Sequence, residues 1–458
     1  MSPPVERTDF AQRGRFRAVP SIAAMTIRPS LAAPTITMVG HASVVIEAAD
    51  IVLWTDPWLV SRAFNNSWAI HPAPTIDDEL RERVTHIWIS HEHPDHFNVP
   101  TLKQLAPTMA KQVEVVMQAH PEQGPVTFLR AQGFSVTELE PGHPSAVGAV
   151  TLTSYPIGHE DAALMVESNG WTILNLNDCK PTKGEMRRLL GAHGPVDVLL
   201  DQFSGAGWNG NPGDAERKRA QAERVRSTLA FHLDEIDPVW FVPFASFVRF
   251  EHAENTHVAE ERITVADTVA RHADRNVAVL APGDRWTIDD DWDGTTAALA
   301  RYAAADAEPF TPATNEPVSP SAIIDAAKAF AAGLSERYQT TVLRRVRPTR
   351  FVVSDGTDTV VDLTVIPGTG IAVDDTRAST TVHLSSQAAH DAFARRWGMS
   401  TLLISGRFTI DGPEAPFTQL KQLSAAAAVG LGTRGLRHRA RNPRMRALIA
   451  RTMRRRLP

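Results

Sequence analysis

The sequence predicts an α/β layered fold followed by a smaller α+β domain, and three observations carry that prediction. Between Thr35 and Trp286, short β-rich runs alternate with turn residues and a few helical patterns. The stretch AAADAEPFTPATNEPVSP then interrupts with four prolines. Beyond it the pattern changes to helix, several alternating strands, helix and strand.

In chain order, residues 1–34 are Pro-spaced and lack periodicity, so they read as an N-terminal extension. The runs TITMVG, SVVIEA, DIVLWT, THIWIS, VEVVMQ, AVTLTSY, ALMVES, WTILNLN, VDVLL and PVWFVPF read as strands of a domain over 35–290. The longest helical pattern is DAERKRAQAERVRSTLAFHLDEI, with Val225, Leu229, Phe231, Leu233 and Ile236 expected on its buried face. Residues 291–320 read as a Pro-rich linker. Over 321–433, SAIIDAAKAFAAGLSERYQ and QAAHDAFARRWG read as helices, and TTVLRRV, RFVVSD, TVVDLTVI, TTVHLSS and TLLISGRFTI as strands. The chain closes on an Arg-rich tail, 434–458.

Composition narrows the function classes. The sequence has 458 residues, enough for two or more cores. No run approaches 18 uninterrupted apolar residues, so no membrane span is expected. The first twenty residues carry acids and no apolar signal core, and the chain has one cysteine, Cys179; both suit a cytoplasmic protein without disulfides. The tail holds 10 Arg and no acid; without it 37 basic side chains face 52 acidic ones, a net charge of −15. That excess of acid argues against nucleic acid as a partner. The tail itself suits a solvated segment or a dock for something anionic.

The chemistry concentrates in WISHEHPDHFNVP, which packs His91, His93, Asp95 and His96 into six residues directly after an apolar run. At the end of an extended strand, residues i and i+2 point the same way, so His91 and His93 can grip one ion. Pro94 turns the chain, and Asp95 and His96 then face a second ion. Further candidates also follow strand-like runs: Asp56 after IVLWT, His159 in SYPIGHEDA, Asp178 after WTILNLN, and His252 in ASFVRFEHAEN.

HEHPDH, with Asp56 before it and His159, Asp178 and His252 after it, resembles the metallo-β-lactamase superfamily. The resemblance implies an αββα sandwich with a dinuclear site at one edge. It implies His91, His93 and His159 on one metal, Asp95, His96 and His252 on the other, and Asp178 bridging both. Asp56 would order the ligand loop through hydrogen bonds. GHASVVIE, DPWLVSRAFNNSW, HPDHFNVPTLKQLA, ILNLNDCKP, DQFSGAGWNG and PFASFVRFEHAEN are also similar to the CMP-N-acetylneuraminate hydroxylase group. That group, and related di-iron hydroxylases of antibiotic biosynthesis such as the platensimycin and platencin diterpenoid pathways, implies two iron ions and O2 as co-substrate. One departure bears on wiring. A Rieske iron–sulfur module, which the sialic-acid hydroxylases carry, needs two Cys and two His, and this sequence has one Cys. Electrons are therefore expected from a separate ferredoxin or reductase.

Two chemistries compete, because imidazole and carboxylate serve iron and zinc alike. An iron pair implies O2-dependent hydroxylation of a C–H bond; a zinc pair implies hydrolysis of an ester, lactone or phosphodiester. Several residues carry open readings. Glu160 or Asp161 could replace or supplement His159, and His257 competes with His252. His41 reads as a contact beside the site or as a plain turn residue. Trp58, Phe64 and Trp68 read as the mouth of a substrate pocket or as core. The C-terminal domain resembles a sterol-carrier fold and could wall an apolar pocket. With the basic tail, that would suit a small-molecule substrate with an anionic handle, for example a terpenoid linked to coenzyme A.

Overall fold

The computed structural model describes residues 32–428, apart from 121–122, 159–160, 192, 339–342, 374–377 and 413–415. His159, Glu160 and the Arg-rich tail therefore lie outside the described residues, as does the N-terminal extension up to residue 31.

Two sheets pack face to face. The first has seven strands: β1 (Thr35–Gly40), β2 (Ser43–Ala48), β3 (Ile51–Thr55), β5 (His86–Ile89), β6 (Glu114–Gln118), β7 (Ser135–Leu139) and β15 (Arg285–Thr287). Its order is β15-β1-β2-β3-β5-β6-β7. The second orders β13-β12-β11-β10-β9-β8, from β8 (Ser145–Val147), β9 (Val150–Ile157), β10 (Asp161–Ser168), β11 (Trp171–Asn177), β12 (Val198–Gln202) and β13 (Trp240–Phe244).

Period-two alternation divides the first sheet between two cores. Val44, Ile46, Leu53, Trp88 and Val116 face the second sheet. Val45, Trp54, Ile87, Ile89 and Val115 point outward, against Leu102, Leu105 and Met109 of helix Val99–Met109 and Val126 and Leu129 of helix Gly124–Ala131. Each such fully buried aliphatic side chain contributes about 2 kcal/mol. Helices Lys183–Leu190 and Ala215–Ile236 cover the other side through Met186, Leu189, Leu229, Leu233 and Ile236. On the longer helix Phe231 is only half-buried, and its neighbour His232 takes the buried position. The layers are therefore αββα, as expected.

Strand direction places the site. β3, β5 and β6 run parallel, so the ends of β3 and β5 reach the same edge, joined there by the Asp56 amide donating to the Trp88 carbonyl at 2.9 Å. In the second sheet β10 is antiparallel to β11, which sets the start of β10 beside the end of β11. Open α/β sheets collect ligands at the carboxyl ends of their strands.

The segment read as a linker begins with a helix, Thr295–Asp306. Its Ala298 and Tyr302 belong to the sandwich core, and Tyr302 stacks on Phe247 at 4.5 Å. The prolines lie beyond this Ala-rich, strongly helix-forming stretch.

The C-terminal unit is a five-stranded sheet of β16 (Thr349–Asp355), β17 (Asp358–Ile366), β18 (Gly370–Val373), β19 (Thr380–Leu384) and β20 (Thr409–Asp411), ordered β18-β17-β16-β19-β20 and covered by helices Pro320–Arg337, Ser386–Ala394, Gly398–Ser405 and Pro416–Ala428. Two expected strands are absent from the described residues. Leu343–Val346, within TTVLRRV, is a turn with Leu343 buried, and TLLISGRFTI splits into the end of a helix and the short strand β20 (Thr409–Asp411). Gly406, with φ of 70°, closes that helix in the left-handed conformation that glycine adopts without strain. A short apolar run cannot be assigned to helix or strand by periodicity alone. The two units share a tight seam. Trp208, from the loop after β12, sits in the C-terminal core, 4.4 Å from Phe417 and 5.3 Å from Phe408 between ring centroids.

Candidate metal centre

The loop after β5 is held by hydrogen bonds from its own neighbours. Asp56, fully buried with a strained φ of 37°, accepts from the Ser90 amide at 2.8 Å and the Ser90 hydroxyl at 2.7 Å. Its Oδ2 also lies 2.9 Å from His96 Nδ1, while Ser90 Oγ lies 2.9 Å from His91 Nδ1. Both imidazoles are thus held through Nδ1, leaving Nε2 to face inward. Ser90 was not singled out from the sequence; its signal was its place between a strand end and the first histidine.

Three donor groupings result, each with its ligand atoms mutually within 4.8 Å: His91, His93 and Asp161; His41, Asp95 and His96; and His91, His96 and Asp178. In the first, His91 Nε2 lies 2.8 Å from His93 Nδ1. Two nitrogens bound at a right angle to one ion stand roughly 2.9 Å apart, given metal–nitrogen bonds near 2.05 Å. In the second, Asp95 Oδ2 lies 3.3 Å from His41 Nε2 and 3.6 Å from His96 Nε2. Asp178 Oδ1 stands 3.8 Å from both His91 Nε2 and His96 Nε2, between the two.

Buried polar atoms without partners point the same way. Both ring nitrogens of His41, Asp95 Oδ1, His96 Nε2 and Asp178 Oδ1 lack hydrogen bonds. One orphan costs about 1–3 kcal/mol, so five in one cluster call for an ion. The donors fit divalent metals that accept imidazole and carboxylate.

Protonation follows from burial and neighbours. Burial lowers His91, His93 and His41, which leaves their lone pairs free. Burial also opposes charge on His96, but Asp95, Asp178 and Asp56 outweigh it and raise His96 to about 10. Asp95 stays well below the usual carboxylate range despite its burial, held there by His96 and His41. Asp178 is lowered against burial by His91 and His96. A metal entering at His96 therefore displaces a proton.

His252 is in none of the three groupings; its Nδ1 accepts from the Glu254 amide at 3.2 Å and lies 3.5 Å from Glu254 Oε2. Burial and the Arg407 guanidinium push it down to about 4. His41, read from the sequence as a contact beside the site or a plain turn residue, is grouped with Asp95 and His96. His257 is likewise outside the groupings and near Lys218. Asp161, one of the alternatives to His159, joins His91 and His93. Trp58, Phe64 and Trp68 form one buried aromatic cluster, with Trp58 5.5 Å from His41 and Phe64 6.2 Å from His93 between ring centroids.

Residues 35–213 match the family described as the β-lactamase superfamily domain. The fold is a metallo-β-lactamase fold. The chain is 26% identical over 255 residues to cytidine monophosphate-N-acetylneuraminic acid hydroxylase of Danio rerio, an alignment covering 49% of this chain and 40% of that one. It therefore spans about two fifths of that relative's length. Among solved structures it is similar to CmlA, a diiron β-hydroxylase from Streptomyces venezuelae (16% identity, 56% of this chain and 54% of that chain, TM-score 0.38). It is also similar to Igni18, a metallo hydrolase from Ignicoccus hospitalis (15% identity, 55% and 97%, TM-score 0.36). Its relatives thus include hydroxylases, and its structural neighbours include a hydrolase. No helix among the described residues is long and apolar enough to cross a membrane.

Proposed function

We propose that this chain is a non-haem di-iron monooxygenase that hydroxylates a C–H bond of a small organic molecule. The observation that carries the reading is the place of Asp161 with His91 and His93, which brings the clustered carboxylates to three: Asp95, Asp161 and Asp178. Three anionic oxygen donors among four imidazoles stabilise a pair of ions as their charge rises. That favours iron, which changes valence, over zinc, which does not. The hydroxylase relative supports the same reading.

Two irons held there would supply dioxygen activation: one oxygen atom enters the C–H bond and the other leaves as water, consuming two electrons and two protons. This chain's residues supply the setting. Asp56 and Ser90 aim His91 and His96 inward. Asp178 lies between the two positions, where it can bridge them. Trp58, Phe64 and Trp68, buried beside His41 and His93, would keep water from the metal positions and suit a hydrocarbon portion of the substrate. Residues 1–458 carry one cysteine, too few for an iron–sulfur cluster, so the two electrons reach the site from a donor outside these residues.

The test is oxygen reactivity. Iron-loaded protein, reduced anaerobically and mixed with O2, is expected to consume dioxygen, and the zinc-loaded protein to consume none. Asp161→Asn is expected to slow the reaction at least tenfold. Equal inertness of the iron and zinc forms would favour a zinc hydrolase instead, and esters, lactones and phosphodiesters would then be the substrates to try.

A further inference from the structure

The wall beside the metal positions rests on a strained turn. Phe64, Asn65 and Asn66 follow one another with φ of 51°, 57° and 62°, all left-handed and none of them glycine. Each such residue costs about 1 kcal/mol or more, most for Phe64, because Asn tolerates the left-handed region better. Successive left-handed residues persist only where the surroundings over-determine them. Here the turn carries Phe64 inward, 4.5 Å from Trp68 and 6.2 Å from His93 between ring centroids.

What holds it comes largely from the C-terminal unit. Arg407, just past helix Gly398–Ser405, is 2% exposed in its side chain. Its Nη1 donates to the Asn65 carbonyl at 2.9 Å and its Nε to Glu254 Oε2 at 2.7 Å. Its Nη2 donates to Asn315 Oδ1 and, at 3.4 Å, to Gln387 Oε1. One planar guanidinium thus ties the turn to three other chain segments, at Glu254, Asn315 and Gln387. Asn255 closes the other end, donating to the Ser67 carbonyl at 3.1 Å and the Ser405 carbonyl at 2.8 Å. Ile404 of the same helix packs against the aromatic cluster.

We propose that Arg407 is a positioning residue: by bracing the Phe64–Asn66 turn it sets the Phe64 ring against the ligand His93, making the C-terminal unit part of the metal site's architecture. The inference rests on the reading of this cluster as a metal centre, not on its chemistry with oxygen. Lysine cannot replace the guanidinium, because an ammonium lacks the rigid fork that reaches several acceptors at once.

The experiment uses the full chain and cobalt(II), whose visible bands report ligand geometry. Arg407→Lys is expected to shift those bands and weaken cobalt binding roughly tenfold, the scale of a lost outer support. Phe64→Leu should reproduce the shift. Asn65→Gly added to Arg407→Lys should restore the wild-type bands, since glycine adopts the left-handed turn without a brace. A lower Tm with unshifted bands in Arg407→Lys would make the residue merely structural and overturn the proposal, as would failure of glycine to restore them. If Arg407→Lys does not fold, Asn315→Ala, which removes one acceptor and leaves the Asn65 bond, must give a smaller shift in the same direction; unshifted bands there overturn it too. Wild-type protein that binds no cobalt would instead sink the metal-centre reading itself.

Discussion

His41 and His252 make opposite predictions at the scale of single residues. His41 has both ring nitrogens unpartnered and lies 3.3 Å from Asp95, whereas His252 is committed to Glu254 beside Arg407. His41→Ala is therefore expected to lower tightly bound metal from two ions per chain to one, read by elemental analysis after dialysis. His252→Ala should keep two. The reverse pattern would return the second site to the ligand set expected from the sequence. The residues of HEHPDH were legible because three imidazoles and two carboxylates in six residues rarely serve anything but a metal. His41 was harder to place, because only its left-handed turn between β1 and β2 swings its ring toward Asp95, and a Gly-His pair in a sequence does not announce that direction.

At the scale of elements, the helix after the metal loop anchors it. Asn98 accepts from the Thr101 amide at 3.0 Å and donates to the Pro94 carbonyl at 3.0 Å, so one side chain both caps helix Val99–Met109 and fixes the turn between His93 and Asp95. Asn98→Ala should cost about 1–2 kcal/mol in chemical denaturation of the metal-free protein. It should also weaken metal binding, because the lost bond to Pro94 loosens the loop. Stability lost with metal affinity unchanged would show that the cap does not support the site. Strands such as β2 and β3 were readable as short β-branched runs, but both their faces are buried, so which side chains meet which core was not. Other apolar runs were ambiguous in type: TLLIS became helical because Leu402 and Met399 found a core that only the assembled C-terminal unit provides.

At the scale of the molecule, the layered fold and one edge of the site were visible in the sequence, but the seam between the two units was not. Arg407 reaches Asn65 across 342 positions, and Trp208 buries itself in a core built almost entirely from residues beyond 320. Such contacts depend on how two finished units dock, which no local pattern encodes. Docking also braces the carboxylate-rich cluster and its aromatic wall, which we propose hold two irons. The most direct measurement is a Mössbauer spectrum, with metal analysis, of protein loaded with iron-57. Two irons per chain are expected, as an exchange-coupled ferric pair that stays diamagnetic in an applied field. One iron per chain, or two magnetically isolated ones, would contradict it.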